Sequence, residues 1–280
     1  LPHKPLLLCL AFAVTIGSIA SPIGNPQNLL IALQGSVANA FIIFPKYLGI
    51  PTIINLILAY VMIKLFYNED FHKLPLMHSQ EPIADQKLAT LCKISLIVLI
   101  ILALAKVVTA YFNIFESFKP TYISLIAAVP LLAFSPKRFE VARKIDWHTL
   151  IFFASMFVLM KSVWDSGLII DLLNNNSIDL HSIPAIYAVS LCLSQLISNV
   201  PMVALYLPIL SESGLMENQL MALAVGSTLA GNLLIIGAAS NVIIIQKAEA
   251  SSGETLGFIE FAKIGIPLTM VNVSIYWLFI

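Results

Sequence analysis

The stretch that decides the fold is TIGSIASPIGNPQNLLI, residues Thr15–Ile31. It lies within an apolar run long enough to cross a membrane, yet Pro22, Gly24 and Pro26 fall within five residues. Each proline lacks an N–H group and clashes with a preceding carbonyl, and glycine adds backbone freedom, so the centre of the run is unfit for a helix. Non-helical backbone at membrane depth is tolerated only where it is buried in protein or lines a watery cavity. The stretch therefore predicts a broken membrane helix.

The composition indicates a polytopic membrane protein. Of the 280 residues, 59% are hydrophobic and 11% are charged, whereas soluble domains carry about 25% charged residues. Cys9, Cys92 and Cys192 are isolated in apolar segments, so we expect buried thiols rather than a disulfide framework or a metal site. These features predict an all-α fold in the lipid bilayer, with no cofactor and no nucleic-acid partner.

Apolar runs of the length that spans a bilayer divide the chain into three parts. Residues 1–67 contain the broken helix and a following span, residues 68–90 form a polar cytoplasmic loop, and residues 91–280 contain further spans. Two runs in the last part are interrupted as the first one is. We predict a re-entrant hairpin at 183–210, a second broken helix at 217–245 and a last span at 258–280.

The basic residues predict the orientation, because Lys and Arg are concentrated on the cytoplasmic side of membrane proteins. If the link at 135–147 is cytoplasmic, its four basic residues and seven lysines lie on that side, against four lysines on the other. The seven are Lys4, Lys64, Lys73, Lys87, Lys93, Lys247 and Lys263, and the four are Lys46, Lys106, Lys119 and Lys161. We therefore expect a plasma (inner) membrane protein with its N-terminal end cytoplasmic and Ile280 outside.

The opening stretch recurs later in the chain. Shifted by 213 positions, it lies without a gap over TLAGNLLIIGAASNVII, residues Thr228–Ile244, with Gly24 on Gly237 and Asn28 on Asn241. A shared apolar composition would explain matched Leu and Ile, but not Thr, Gly and Asn matched in order. We interpret the match as an internal repeat.

The rest of the two copies sets their relative direction. With small gaps, Phe41–Asn55 resembles Phe258–Asn272. Four full crossings and the non-crossing hairpin separate the two broken helices, so the copies are predicted to run in opposite directions, as in many secondary transporters. The hairpin tip at Ser198–Pro201 precedes the second break, and its counterpart in the first copy would fall about 15 residues before Leu1. We thus expect the first repeat to be incomplete here.

With these residues, the sequence resembles the ion transporter superfamily. The closest resemblance is to its branch of arsenite permeases, citrate–proton transporters and NhaD-type antiporters, related to the divalent anion/sodium symporters. Two departures from that pattern stand out. Val200 replaces a threonine of the symporters, which removes a hydroxyl ligand, and the second unwound segment, GAASN, has no proline. Four stretches carry the resemblance: SPIGNPQN (Ser21–Asn28), IDWHTLIFFASMFVLM (Ile145–Met160), LISNVPMVALYLP (Leu196–Pro208) and AGNLLIIGAASN (Ala230–Asn241).

The resemblance implies an elevator-type secondary transporter, usually a homodimer, coupled to H⁺ or Na⁺. Its substrate would be a small anion: an arsenite-like oxyanion, an inorganic anion or a di- or tricarboxylate. One half-site is implied at Ser198 and Asn199 with Gly237, Ser240 and Asn241, where a coupling Na⁺ would bind at Ser198, Asn199 and Gly237. The symmetric half-site would use Ser21, Gly24, Asn25 and Asn28 with the upstream hairpin.

The residues themselves leave two roles open. Helix starts expose N–H groups that suit anions, and helix ends expose carbonyls that suit hard cations. Ser198 and Asn199 can instead cap a turn, and Asn28 and Asn241 can bond backbone freed by the breaks. No Asp or Glu lies at the centre of a predicted span, although proton coupling normally needs an intramembrane carboxylate or histidine. Its carrier would then lie upstream, or at Asp165.

Three other functions compete with anion transport. A Na⁺/H⁺ antiporter fits the same architecture. A truncated remnant that inserts but does not transport would follow if the protein began near Leu1. A membrane-embedded enzyme needs convergent acid/base, nucleophile or metal-binding residues, which the predicted spans do not supply, so we expect no enzyme.

Overall fold

The computed structural model describes the chain except for residues 1–2, 36, 38, 69–82, 84, 113–119, 144, 146, 168–178, 213, 215 and 254. Every regular element in the described part is a helix, which confirms the predicted all-α fold. The chain divides into two units, one formed by Leu1–Leu76 and Met156–Ile280 and the other by Met77–Ser155.

The helices follow one another with short connections in the described ranges. A 3₁₀ turn, Ile235–Gly237, lies between the tenth and eleventh α-helices. The α-helices are α1 (His3–Ser18), α2 (Pro26–Gln34), α3 (Ala40–Phe66), α4 (Gln86–Tyr111), α5 (Pro120–Phe134), α6 (Arg138–Arg143), α7 (Trp147–Asp165), α8 (Ile183–Ile197), α9 (Asn199–Glu212), α10 (Glu217–Leu233), α11 (Ala239–Ser252) and α12 (Phe258–Trp277).

Three of the described helices are long and apolar enough to cross a membrane. They are α3, residues Gln86–Thr109 of α4, and α12, with mean hydropathies of 1.9, 2.6 and 1.4. Large apolar side chains such as Ile50 and Leu104, both 61% exposed, cover their outer faces. Such surfaces are stable against lipid, and helices satisfy their own backbone groups there. The chain is therefore an integral membrane protein.

The first unit is built around α10. Every residue from Gln219 to Asn232 is buried, as expected of a helix that is covered on all sides. Helices α1, α8 and α12 pack against it. From α1, Leu8, Phe12 and Ile16 recur every four residues, so they lie on one face and enter the core. This packing places the end of α1 beside α10.

In the second unit, α4 and α5 pack against each other. Asp85 caps α4, since its Oδ1 accepts a hydrogen bond of 3.0 Å from the Leu88 N–H group. Its Oδ2 lies 2.9 Å from Lys137 Nζ. The Leu88 backbone N–H and the Lys137 ammonium lower the pKa of the Asp85 carboxyl. The Lys137 link is therefore tied to the start of α4.

The breaks lie close to their predicted positions, with one shift. The first, predicted around Pro22, Gly24 and Pro26, covers residues 19–25, between α1 and α2. The second runs from Leu234 to Ala238 rather than from Gly237 to Asn241. Its centre is moved because the chain leaves helical geometry at Leu234 and resumes it at Ala239, without a proline to fix the point. The polar loop at 68–90 lies mostly outside the described residues.

Candidate transport site

Asn25 organises the first break. Its backbone is extended, with φ −153° and ψ 164°, and it caps α2 by accepting a hydrogen bond of 2.8 Å from the Asn28 N–H group at Oδ1. Pro26 follows at the first helical position, where a missing N–H group costs nothing. The Asn25 amide Nδ2 donates to Ser18 Oγ at 3.0 Å and to Thr228 Oγ1 at 3.1 Å. Asn25 therefore links both halves of the broken helix to α10.

Asn28 replaces the helix hydrogen bonds that the break removes. The last carbonyls of a helix have no partner within it. Asn28 Nδ2 lies within hydrogen-bond distance of the carbonyl oxygens of Ser18 (3.2 Å), Ile19 (3.2 Å) and Ser21 (3.1 Å). The residue is fully buried, and its Oδ1 has no partner among the described residues. The side-chain amide N–H groups of Asn28 therefore serve as donors in place of the helical N–H groups that these carbonyls lack.

Asn241 does the same at the second break. Its Nδ2 donates to the carbonyl oxygen of Gly231 at 2.6 Å. The acceptor lies ten residues before the donor, as Ser18 lies ten residues before Asn28, and the shift of 213 maps one pair onto the other. Asn28 and Asn241 also hold the same place, the third residue of the helix after each break. The aligned segments thus share a hydrogen bond as well as residues.

The glycines that align are required by close backbone contacts. A Cβ atom on Gly24 would lie 2.0 Å from the Ser18 carbonyl oxygen. One on Gly237 would lie 2.3 Å from the Ala230 carbonyl oxygen and 2.7 Å from Gln195 Oε1. Real Cβ atoms do not approach so closely, so neither break accommodates a side chain at this point.

The α8–α9 segment turns at a single residue. Ser198 has φ +71° and ψ 160°, and its N–H group still donates to the Ser194 carbonyl oxygen at 3.1 Å. A non-glycine residue with positive φ costs about 1–3 kcal/mol and is found mostly at functional sites. Asn199, which begins α9, is 8% exposed, and its Oδ1 has no partner among the described residues. The predicted re-entrant path of this segment stays a prediction.

Gln195 is a site residue that the sequence reasoning missed. Its Nε2 donates to the Ala230 carbonyl oxygen at 2.7 Å and to the Leu191 carbonyl oxygen at 3.2 Å. It thereby ties α8 to the end of α10, while its Oε1 faces Gly237. An amide three residues before the Ser-Asn pair, within an apolar run, was the available signal.

The structure brings the predicted site segments together. The 3₁₀ turn contacts α8, α9 contacts α2, and α11 contacts α1. Two predicted residues contribute less. Ser21 accepts from the Ile23 N–H group at 3.3 Å and so shapes the turn; half-buried Ser240 lies in the first turn of α11.

Neutral oxygen atoms dominate the site. None of the buried described residues carries a charge. Asp165, considered from the sequence as a proton carrier, pairs with Lys161 at 2.7 Å, and both side chains are more than half exposed, so Asp165 is no buried carboxylate. Several buried oxygens have no partner among the described residues: Asn28 Oδ1, Ser194 Oγ, Gln195 Oε1, Asn199 Oδ1 and Asn241 Oδ1.

Comparison with known proteins decides the family. Residues 1–219 match the family model described as citrate transporter (CitMHS). The chain belongs to the citrate transporter family. This confirms the predicted resemblance. Because the family consists of transporters, it also confirms the prediction that the protein is not an enzyme.

Relatives of this citrate transporter family member include other membrane proteins. The chain is 26% identical to the 46 kDa membrane protein of Mycobacterium leprae over 97% of its own length and 66% of that protein. It is 28% identical to an uncharacterized transporter of Mycobacterium tuberculosis, over 96% and 65%. It is 32% identical to the P protein of Homo sapiens over 55% of its length and 20% of that protein. The chain thus spans about two thirds of the length of the mycobacterial relatives.

Proposed function

We propose that the protein is a secondary active transporter that moves a small anion across the membrane by an elevator mechanism. The observation that carries the proposal is the pair of helix breaks, each bridged by the same asparagine–carbonyl hydrogen bond. The α8–α9 segment contacts both of them, through α9 and α2 at the first and through α8 and the 3₁₀ turn at the second. Breaks of this kind in pairs are how secondary transporters place backbone dipoles at a substrate. The citrate transporter family supports the same function.

The packing of α1 against α10 supports a two-fold relation between the copies. Gly231 lies beside Thr15, since a Cβ there would be 3.6 Å from Thr15 Cγ2. Ser18 and Thr228 share the Asn25 amide as their donor. The shift of 213 relates Thr15 to Thr228 and Ser18 to Gly231, so the contact of Thr15 with Gly231 corresponds to the pairing of Thr228 with Ser18 through Asn25. Such reciprocal contacts are typical of a two-fold relation. An inverted repeat, with α1–α2 and α10–α11 in opposite directions, accounts for it.

The chemistry of the site favours an anion together with Na⁺. The starts of α2, α9 and α11 present backbone N–H groups and the positive ends of helix dipoles, which stabilise anionic groups. The unpartnered oxygens of Gln195, Asn199 and Asn241 are the neutral ligands that suit a hard cation. Proton coupling normally uses an intramembrane carboxylate or histidine, and the buried side chains of the described residues include no Asp, Glu or His. Because these neutral oxygens are the ligands that a Na⁺ ion needs, Na⁺ coupling is the preferred form of the proposal.

The experiment is uptake by the whole protein in proteoliposomes. Citrate, succinate, sulfate and arsenite are each offered under an imposed Na⁺ or H⁺ gradient. We expect at least one anion to accumulate under the Na⁺ gradient and to stop accumulating when the gradient is dissipated. No gradient-driven uptake of any of them by correctly inserted protein would refute anion transport. Uptake under the H⁺ gradient alone would refute only the Na⁺ coupling.

Asn199→Ala tests the site within this assay. Asn199 is buried at the start of α9, and its side-chain oxygen Oδ1 has no partner among the described residues. We expect uptake to fall about 30- to 160-fold, as loss of a buried ligand of about 2–3 kcal/mol would give, with unchanged membrane insertion. Asn218→Ala is the control, because Asn218 lies in the first turn of α10 and, among the described residues, its side chain accepts only from the neighbouring Gln219 N–H group. Equal uptake by both variants would exclude Asn199 from the site.

A further inference from the structure

Three chain segments of the first unit meet at one end of the helices. Lys4 at the start of α1 lies 3.0 Å from Glu260 Oε2, and Glu260 belongs to the first turn of α12. Tyr67, which follows α3, donates its hydroxyl to Glu260 Oε1 at 2.9 Å. The Gly257 backbone N–H group also faces this carboxylate. The Glu260 carboxylate therefore already has several partners within the protein.

A groove opens beside this junction. It has a volume of about 690 Å³. Its charged members do not cancel, because Lys4 and Glu260 form a pair while Lys263 is exposed and makes no ion pair with any described residue. The groove therefore carries one excess positive charge. Its lining consists of Lys4, Gly257, Phe258, Ile259, Glu260 and Lys263.

An apolar stripe continues from Lys263 along α12. Ile259, Ile266 and Met270 are 69%, 42% and 57% exposed. Together with Lys263 they are spaced by four, three and four residues, so they lie on one face of the helix. Since α12 is long and apolar enough to span a membrane and begins at Phe258, Ile259 and Lys263 lie near a membrane surface, and Ile266 and Met270 follow them into the lipid.

We propose that this groove and stripe bind one anionic phospholipid, such as a phosphatidylglycerol. The headgroup phosphate pairs with the Lys263 ammonium, and an acyl chain lies along Ile266 and Met270. Basic pockets at the ends of membrane helices bind anionic headgroups. The stripe adds an apolar surface that an acyl chain can contact and that a soluble phosphate has no group to contact. The site is separate from the helix breaks and does not rest on the proposed transport function.

Native mass spectrometry of the whole protein in detergent tests the site. Purified protein is titrated with long-chain phosphatidylglycerol, phosphatidylcholine or short-chain dihexanoyl phosphatidylglycerol. We expect preferential retention of the long-chain anionic lipid, and an affinity about fivefold lower in Lys263→Gln, as the loss of one lysine near a charged headgroup predicts. Lys46→Gln is the control, because Lys46 lies near the start of α3, at the end of that helix away from Tyr67.

The outcomes separate the sources of binding. Equal affinities for Lys263→Gln and Lys46→Gln would overturn the proposal. Equal retention of phosphatidylcholine would show a nonspecific lipid surface and would also overturn it. If inorganic phosphate or the dihexanoyl lipid competed as well as the long-chain lipid, the stripe would have no role and the assigned occupant would be wrong. Lys263 is exposed, so its substitution should leave the fold intact, which the thermal unfolding midpoint checks.

Discussion

At the scale of the residue, the asparagine that follows each break donates to backbone carbonyl oxygens of the helix before the break or of the break itself. Asn28 approaches three carbonyls with one amide, whereas Asn241 bonds one. Both oxygens remain without a described partner. Backbone bonding and ligand binding, the two roles that the sequence left open for these residues, can therefore coexist, with the nitrogen serving the fold and the oxygen available to a ligand.

The first prediction compares the two asparagines. A buried acceptor left unsatisfied costs about 1–3 kcal/mol. We expect Asn28→Ala to lower the free energy of unfolding by about 2–4 kcal/mol, and Asn241→Ala by less, because fewer carbonyls lose their donor. Thermal unfolding of the detergent-solubilised protein measures both. If Asn28→Ala were as mild as Asn218→Ala, the amide would not be holding the break closed.

The second prediction concerns glycine. Gly24→Ala would place a methyl group 2.0 Å from the Ser18 carbonyl oxygen, so the break must shift. Gly17→Ala is the matched control seven residues earlier, because a Cβ there meets nothing within 4 Å, and alanine is the better helix former by about 1 kcal/mol. We expect Gly24→Ala to lose most transport activity and Gly17→Ala to keep it, with a slightly higher unfolding temperature. A fully active Gly24→Ala variant would contradict the geometry of the break.

At the scale of the element, the first break is joined to α10 through a side-chain hydroxyl. Asn25 Nδ2 and Gln27 Nε2 both donate to Thr228 Oγ1, at 3.1 and 3.4 Å. Thr15, its partner in the repeat, instead donates to the Ala11 carbonyl oxygen of its own helix at 3.0 Å. The two equivalent threonines thus differ: Thr228 links two elements, whereas the hydroxyl of Thr15 donates within its own helix.

This asymmetry gives the third prediction. Thr228→Val leaves two amide donors without their acceptor, so we expect a loss of about 1–2 kcal/mol in the free energy of unfolding. Thr15→Val removes only a bond to a carbonyl that already belongs to the α1 ladder and should cost less. Chemical denaturation of the two variants side by side measures the difference. An equal cost for both would mean that Thr228 does not join the first break to α10.

Elements with strong local signals could be predicted, and those set by packing could not. Pro22, Gly24 and Pro26 fall within five residues and together strongly disfavour a continuous helix, so the first break was found from sequence alone. The second break was predicted a few residues late, because GAASN contains no proline and its limit at Leu234 depends on contacts with α8. Gln195 was missed for the same reason, since its role arises only when α8 meets the carbonyl of Ala230.

At the scale of the whole molecule, the contacts bring together lysines that the charge pattern assigned to one side. Lys4 and Tyr67 meet at Glu260, so the start of α1, the end of α3 and the start of α12 lie at one end of the first unit. Lys64 in the last turn of α3 and Lys263 in α12 are near this junction along their helices. The three lysines thus lie at one end of this unit, and the side of the membrane that this end faces stays a prediction.

The orientation itself is the last prediction. Lys46 and Lys64 lie on α3 and are separated by 18 residues, or about 27 Å of helix, close to the thickness of the hydrocarbon core. In a protein whose three native cysteines are replaced by serine, we expect a membrane-impermeant maleimide to label Lys46→Cys in intact cells and Lys64→Cys only in inside-out vesicles. Phe279→Cys, beyond the far end of α12, should behave like Lys46→Cys. The reverse pattern would invert the topology, and labelling of both α3 variants from one side would show that α3 does not cross the membrane.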